Sequence, residues 1–332
     1  MSAITPVIRS LSVRNYNPDR LREVINGADL EHTILDPQNC DATIHQWRCA
    51  DLSIDSGFYS FPVFVQGQFA PRHLCVGISQ GRSEATWVNG ATLDRSSIQV
   101  YAEDTEMLYR AGPRTDWAGI TITRELLQKE ALKRLGHEID LPISGMRNYQ
   151  TAPLLIDRLM RSISTMNRGE DAGANSVAAR KEKFLQLLLE CLFSSGNEGA
   201  LRQIESRQQL RLDIVRRADA VIRQKINEGD GYSSEFICRN LGVSERSLQM
   251  HFKEAMGMPP KTWFRRVAMN EAHRVLTLEQ PRPGLVAQVA MDHHFEHLGR
   301  FSQEYRKLFG ESPSETARRL APSRDLHFTL PS

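Results

Sequence analysis

Two copies of one helical pattern near the carboxyl terminus constrain the fold of this chain most strongly. In the first copy, an apolar-periodic helix over residues 234–241 is followed by Gly242, and Ser244 can cap the amphipathic helix that comes next. The second copy repeats the first at a constant offset of 53 residues: Phe301, Tyr305, Arg306, Gly310 and Pro313 correspond to Leu248, Phe252, Lys253, Gly257 and Pro260. Similarity at a fixed period indicates a duplicated unit, and this unit has the pattern of a helix-turn-helix.

A single long helix is predicted between the two copies. Pro260 can begin it, since a proline at the first helical position sacrifices no hydrogen bond, and apolar residues recur at helical spacing from Trp263 to Leu276. About 20 residues at about 1.5 Å each make a rod of about 30 Å, close to the roughly 34 Å between successive major-groove faces of B-DNA. The rod can therefore hold two reading helices one DNA turn apart.

Residues 212–320 resemble the DNA-binding domain of the AraC/XylS transcription regulators. The first copy carries that family's turn serine at Ser244 and its Leu-x-x-x-Phe-Lys and Gly-x-x-Pro spacings, and the linker carries its arginine and alanine at Arg266 and Ala272. The second copy departs from the family pattern at His294, where glycine is usual, and at Thr316, where an aromatic residue is common. The resemblance covers about a third of the chain and implies a sequence-specific regulator of transcription, most often an activator.

The resemblance also assigns the DNA contacts, which fall early in each second helix. The base-contacting positions carried over are Arg246, Gln249 and Met250 in the first copy and Leu298, Gly299, Arg300 and Gln303 in the second. Arg246 can pair with guanine and Gln249 with adenine, while the alternative for Arg246 and Arg300 is a solvated or phosphate-facing arginine. Contacts to DNA phosphates are predicted for Lys253, Lys261, Arg265 and Arg306.

The amino-terminal half has a different sequence pattern. Short strand-like segments between residues 40 and 122 are separated by glycines. This pattern predicts an all-β sandwich or barrel. The resemblance implies a cupin-like β-barrel that holds a small organic effector. The candidate effector-binding residues are Trp47, Phe61, His73, Trp87 and Trp117, and the alternative for each is ordinary barrel core.

The expected fold class is therefore α+β, with a cupin-like barrel and flanking helices followed by an all-α domain of two helix-turn-helix motifs joined by a linker helix. We divide the chain into a sensing domain (1–170), an interdomain helix and linker (171–211), a DNA-binding domain (212–321, with motifs at about 234–256 and 286–308) and a tail (322–332). A short helix is expected at Asp19–Ile25, before the first strands. The leucine-rich face of a helix over 175–193 could pair with a second subunit or pack on its own barrel.

Charge and cysteine content agree with a DNA-binding protein of a reducing compartment. The net charge is +2, but residues 201–332 carry 21 basic against 16 acidic side chains and residues 1–200 carry 21 against 24. The basic excess lies in the half that is proposed to meet phosphates. The five cysteines form no Cys-x-x-Cys pair, and no signal peptide or membrane span is evident, so we expect reduced thiols and a cytoplasmic location.

One motif suggests an enzyme instead. Residues 293–297 match His-x-x-Glu-His, a zinc-protease signature, but they cross the turn of the second motif, and Phe295 is needed in its core. We therefore predict no metal, no cofactor and no catalytic residue. The predicted partners are double-stranded promoter DNA, RNA polymerase, a small effector and a second copy of the chain. The alternatives are an effector-independent regulator controlled by a partner protein, and a β-barrel enzyme with an appended helical domain.

Overall fold

The amino-terminal half of the chain is built from β-strands. The computed structural model describes residues 6–13, 28–36, 41–81, 86–168, 174–193 and 206–319, so the helix expected at Asp19–Ile25 lies outside the described residues. The strands are β1 (Val7–Val13), β2 (Ala28–Ile34), β3 (Ala42–Cys49), β4 (Leu52–Tyr59), β5 (Val63–Phe69), β6 (Leu74–Gly81), β7 (Thr86–Val88), β8 (Ala91–Leu93), β9 (Ser97–Tyr101), β10 (Glu106–Ala111), β11 (Thr115–Ile122) and β12 (Met146–Gln150).

These strands form two antiparallel sheets. The larger sheet has the strand order β1-β3-β4-β11-β6-β9-β12, and the smaller has the order β2-β5-β10-β7-β8. The sequence predicts strands from about residue 40 to residue 122, yet β1 and β2 precede that range and β12 follows it. β1 pairs with β3 and β12 with β9, and such distant pairings decide strand formation beyond local propensity.

The two faces of the larger sheet differ in chemistry. One face is apolar and packs against helices, with Ile54, Val76 and Ile120 in a buried cluster. The opposite face carries the buried polar side chains of Gln99 and Thr121 and shares a cavity with residues of the smaller sheet. Buried polar groups need hydrogen-bond partners, so the inner face is not an ordinary apolar core.

Helices follow the sheets and include both predicted motifs. They are α1 (Arg124–Leu135), α2 (Pro153–Arg168), α3 (Ala174–Phe193), α4 (Ser206–Asn227), α5 (Ser234–Leu241), α6 (Glu245–Met256), α7 (Pro260–Leu278), α8 (Leu285–Asp292), α9 (Leu298–Phe309) and α10 (Pro313–Arg318). α5 and α6 form the first helix-turn-helix, α8 and α9 form the second, and α7 is the linker helix between them. The predicted α+β fold class is confirmed.

The leucine-rich face of α3 packs on the chain's own larger sheet. Phe184, Leu188 and Leu192 are fully buried in the same apolar cluster as the outer face of that sheet. The ring of Phe193 at the end of the helix lies 5.9 Å from that of Tyr149 in β12. The structure therefore supports packing on the chain's own sheet rather than pairing with a second subunit, because a buried face is not open to another subunit.

The turn of the first motif forms as its residue types predict. Gly242 has a φ of 67°, in the left-handed region that glycine enters without a steric penalty. Two residues later, the Ser244 hydroxyl accepts a hydrogen bond from the backbone N–H of Ser247 at 3.2 Å and so caps α6. These two residues set the angle at which α6 leaves the turn.

The turn of the second motif places a histidine where the family usually has glycine. His294 has a φ of 65°, which costs a residue with a side chain about 1 kcal/mol or more. The next residue compensates by closing the turn, since the Phe295 backbone N–H donates to the Ala290 carbonyl at 2.8 Å and the Phe295 ring is buried. Histidine therefore adopts the conformation that the turn requires.

A buried polar chain joins α7 to the end of the second motif. The Tyr305 hydroxyl donates to Thr316 Oγ1 at 2.9 Å and lies 2.5 Å from Nδ1 of His273 in α7. Thr316, at a position that is often aromatic in the family, thus supplies a hydrogen-bond acceptor. Burial is the main cause that lowers the pKa of His273, to about 3, and the positive charge of Arg319 lowers it further.

This depressed pKa predicts a stability that depends on pH. A histidine whose folded pKa is below its unfolded value contributes stability that is present above about pH 6.5 and is lost as the pH falls toward about 3. When the pH falls from about 7 to about 5, His273 should cost the parent protein about 2 kcal/mol of unfolding free energy. His273→Gln should lack this loss, as measured by urea denaturation at both pH values. The matched change His137→Gln, at an exposed position, should leave the pH dependence unchanged. Identical pH dependence in His273→Gln would contradict the assignment.

Candidate nucleic-acid interface

The first reading helix, α6, presents one face to the core and the other to solvent. Leu248 and Phe252, one turn apart, are fully buried. The predicted base-contacting residues Arg246, Gln249 and Met250 occupy the opposite face and are exposed, with Met250 at 53% of its full accessible area. An exposed large apolar side chain beside an arginine and a glutamine is suited to touch a thymine methyl group in the major groove.

The second reading helix, α9, has the same arrangement. Phe301 and Tyr305 are buried, whereas the four predicted base-contacting residues, Leu298, Gly299, Arg300 and Gln303, are all exposed. Leu298 retains 43% of its accessible area, and Gly299 offers only backbone. Of the four, only Arg300 and Gln303 present exposed polar side chains that could recognise bases.

The four residues predicted to contact phosphates have different environments. Lys253 and Lys261 are exposed, and Arg306 is exposed with one nitrogen 3.5 Å from a Glu315 carboxylate oxygen. Arg265 on α7 is half-buried, and its guanidinium lies 5.4 Å from the centre of the Phe295 ring. Arg265 reaches Glu304 of α9, and Lys261 lies one turn earlier on α7.

Glu304 links a predicted base-contacting residue to a predicted phosphate-contacting one, and it is not among the residues predicted from the sequence. Its carboxylate accepts a hydrogen bond from Arg300 Nε at 2.8 Å and another from a terminal nitrogen of Arg265 at 2.7 Å. Burial alone would raise the pKa of Glu304, but the hydrogen bonds from Arg265 and Arg300 hold that pKa below its usual value. The bond to Arg300 uses Nε, so it leaves the two terminal nitrogens that a bidentate pair with guanine requires. The spacing of Glu304 four residues after Arg300 is the signal that could have found it.

The predicted effector-binding residues lie in separate parts of the sheet region. Trp117 lines a cavity of about 80 Å³ between the two sheets. Trp47 is buried in the cluster on the helix-covered side of the larger sheet, and Phe61 and Trp87 are buried core residues beyond the cavity wall. His73 is half-buried and also lies outside the lining. The cavity brings together other residues instead, among them Tyr59, Tyr101, Tyr109, Asp55 and Gln99.

The zinc-protease signature is used structurally. His293 Nδ1 lies 2.8 Å from the Val289 carbonyl oxygen, and the Phe295 ring packs 5.0 Å from that of Phe301. In the part of the chain that the structure describes, no group of three histidine, cysteine or acidic side chains is placed to hold a metal ion. No described helix is long and apolar enough to cross a membrane.

Two exposed reading helices on either side of one linker helix define a helix-turn-helix DNA-binding domain, and comparisons with known proteins agree. Residues 237–319 match the helix-turn-helix domain family. The chain is 27% identical over 228 residues to the probable thc operon regulatory protein of Rhodococcus erythropolis. This match covers 64% of the chain and 67% of that protein. The chain is also 36% identical over 76 residues to the XylDLEGF operon transcriptional activator of Pseudomonas putida. This match covers 23% of the chain and 24% of the activator. The chain thus spans about a quarter of the length of that relative.

Two solved structures also match the chain. A probable AraC family transcriptional regulator from Rhodopseudomonas palustris is 30% identical and covers 33% of this chain and 99% of its own, with a TM-score of 0.30. The AraC-like transcriptional activator CuxR is 16% identical and covers 80% of this chain and 96% of its own, with a TM-score of 0.40. On these sequence matches and the two helix-turn-helix motifs, residues 237–319 form a DNA-binding domain of the AraC/XylS type.

Removing Arg246 should weaken sequence recognition more than general DNA binding. Arg246→Ala should cost roughly 1–3 kcal/mol on a preferred site and relax the preference at one base pair. The measurement is fluorescence anisotropy on the preferred duplex and on a random duplex. Arg239→Ala is the matched control, because Arg239 is an exposed arginine of α5 that is paired with Glu235. Equal losses on both duplexes would show that Arg246 contacts only phosphate.

Neutralising Glu304 should tighten non-specific binding and lower the preference for a specific site. Glu304→Gln removes a negative charge between two arginines, so binding to random DNA should tighten because attraction to phosphates is independent of sequence. Glutamine keeps only one acceptor oxygen for two arginines, so Arg300 is held less firmly and the ratio of specific to non-specific affinity should fall. Glu228→Gln makes the same charge change at an exposed residue just after α4, where Glu228 pairs with Lys225 and not with a predicted DNA-contacting residue, and should leave the ratio unchanged. An unaltered ratio in Glu304→Gln would contradict this role.

Proposed function

We propose that this protein is a cytoplasmic, sequence-specific transcription activator that responds to a small organic effector held between its two sheets. The observation that carries the DNA-binding part is the exposure of all seven predicted base-contacting side chains or backbone positions on α6 and α9. Both helices bury their opposite faces against one domain core. Such helices can enter successive major grooves while α7 fixes their separation.

RNA polymerase and a second copy of the chain complete the proposed assembly on promoter DNA. Activation requires contact with the polymerase, and pairing of two chains would double the number of grooves that are read. The apolar face of α3 is buried in its own subunit, so a homodimer would use a different surface.

Strand β2 supports the proposed link between effector and DNA. Leu30 in this strand lines the cavity, and four residues later the Ile34 backbone N–H donates to Asn270 Oδ1 in α7 at 3.0 Å. The Asn270 amide returns a hydrogen bond to the Ile34 carbonyl at 3.3 Å. One short strand therefore contacts both the cavity and the linker helix.

Side chains next to these residues strengthen the same connection. His32 Nε2 lies 3.1 Å from the hydroxyl of Tyr59, which also lines the cavity, and Glu31 forms an ion pair with Arg223 of α4. Burial lowers the pKa of His32 to about 4, so this histidine is neutral at physiological pH. Phe64 of β5 meets Trp263 of α7 edge to face at 4.8 Å. A ligand that displaces Leu30 or Tyr59 would act on β2, and through it on the population of the DNA-competent arrangement.

Selection from native DNA tests this function. The full chain is mixed with sheared DNA of its own organism, and the bound fragments are sequenced. We expect a small set of enriched sites, and four phosphate-contacting residues predict a slope of about −4 when log affinity is plotted against log salt concentration. No enrichment over random fragments at low salt would contradict the proposal and favour the enzyme alternative.

A further inference from the structure

Two glycines lie side by side on the wall that the larger sheet gives to the cavity. Gly77 of β6 and Gly119 of β11 are register partners, and both line the cavity. A Cβ atom on Gly77 would lie 3.1 Å from the Tyr101 ring, whereas a Cβ on Gly119 would only reach Cys75 Sγ at 3.9 Å. Gly119 thus leaves space that an ordinary strand residue would fill, whereas the Tyr101 ring packs against Gly77. The resulting volume, about 80 Å³, leaves no room for a ligand larger than a single ring.

Aromatic rings form the walls of this space. Tyr59 and Trp117 are stacked with centroids 5.5 Å apart and planes at 21°, and Phe69 and Tyr101 pack at 4.7 Å. Tyr109 also lines the cavity. Flat walls of this kind favour a planar partner, because aromatic rings pack best in offset or edge-to-face contact.

The polar groups of the wall are mostly neutral. The Tyr109 hydroxyl lies 2.8 Å from Ser79 Oγ, and the Gln99 amide donates to Asn148 at 3.2 Å. Burial raises the pKa of Tyr59, Tyr101 and Tyr109, so these phenols stay protonated. They can offer hydrogen bonds to a carbonyl, hydroxyl or amide.

The charge on the wall is negative. Asp55 lines the cavity and is buried, and its carboxylate accepts a hydrogen bond from Gln46 at 3.1 Å. Among the described residues that line the cavity there is no lysine, arginine or histidine. A ligand carboxylate would therefore enter a desolvated space beside another carboxylate and without a cation on the wall, which is strongly unfavourable.

We propose that this cavity takes a small, uncharged, single-ring aromatic molecule and excludes the corresponding carboxylate. The proposal rests on the effector site of the proposed function, and it adds the chemical class of the ligand. Recognition comes from ring contacts with Tyr59 and Trp117 and from hydrogen bonds with neutral wall groups such as Tyr109. Exclusion comes from Asp55.

Benzamide and benzoate test this selectivity, because they share a ring and a shape and differ in charge. Thermal unfolding of the full chain is followed with either compound over the same range of concentrations. Benzamide should raise Tm, and benzoate should need at least a tenfold higher concentration for an equal rise. An equal or larger effect of benzoate, or no effect of either compound, would overturn the proposal.

Two variants connect the result to the cavity. Gly119→Val places two methyl groups in the space without a positive-φ conflict, so it should abolish the benzamide effect, while Ala178→Val on the exposed side of α3 should retain it. Asp55→Asn keeps the side-chain shape and removes the charge, so the difference between benzamide and benzoate should shrink. A benzamide effect that persists in Gly119→Val would show binding elsewhere and overturn the assignment.

DNA binding is measured on the same samples and separates the two proposals. If the chain selects specific DNA but does not discriminate between benzamide and benzoate, the ligand class is wrong and the regulator stands. If it selects no DNA, the proposed function fails whatever the ligands do.

Discussion

The burial of linker helix α7 is the interaction on which the rest of the structure depends. Trp263 near its start is fully buried, with its indole N–H bonded to Asp219 of α4 at 2.5 Å, and Leu276 near its end is equally buried. Burying an aromatic or large aliphatic side chain contributes about 1.5–3 kcal/mol, so a helix buried at both ends cannot tilt without losing several such contacts. Both reading helices are positioned relative to this one element.

The same helix brings the sheet region and the DNA-binding domain together. Its amide Asn270 bonds both backbone groups of Ile34, and its Trp263 packs on Phe64. Its solvent-facing side carries Arg265, which reaches Arg300 through the Glu304 carboxylate. Contacts to β2 and contacts beside the DNA-reading surface thus lie on one rigid rod. One continuous helix therefore connects the sheets with α9.

Local chemistry made the helical half predictable from the sequence, and long-range packing made the rest unpredictable. Gly242 and Ser244 determine a turn within three residues, so the first motif could be placed accurately. The cavity depends on Gly77 meeting Gly119 across two strands, and no local pattern reports that pairing. Trp47 illustrates the difficulty: strand alternation places it on one face, but only the register shows that this face meets helices.

The central claim is that one rigid helix sets two reading helices one DNA turn apart, and hydroxyl-radical footprinting of the bound site tests it most directly. We expect two protected segments on the same face of the duplex, with centres roughly 10 base pairs apart. A single protected segment, or two segments on opposite faces of the duplex, would contradict the account.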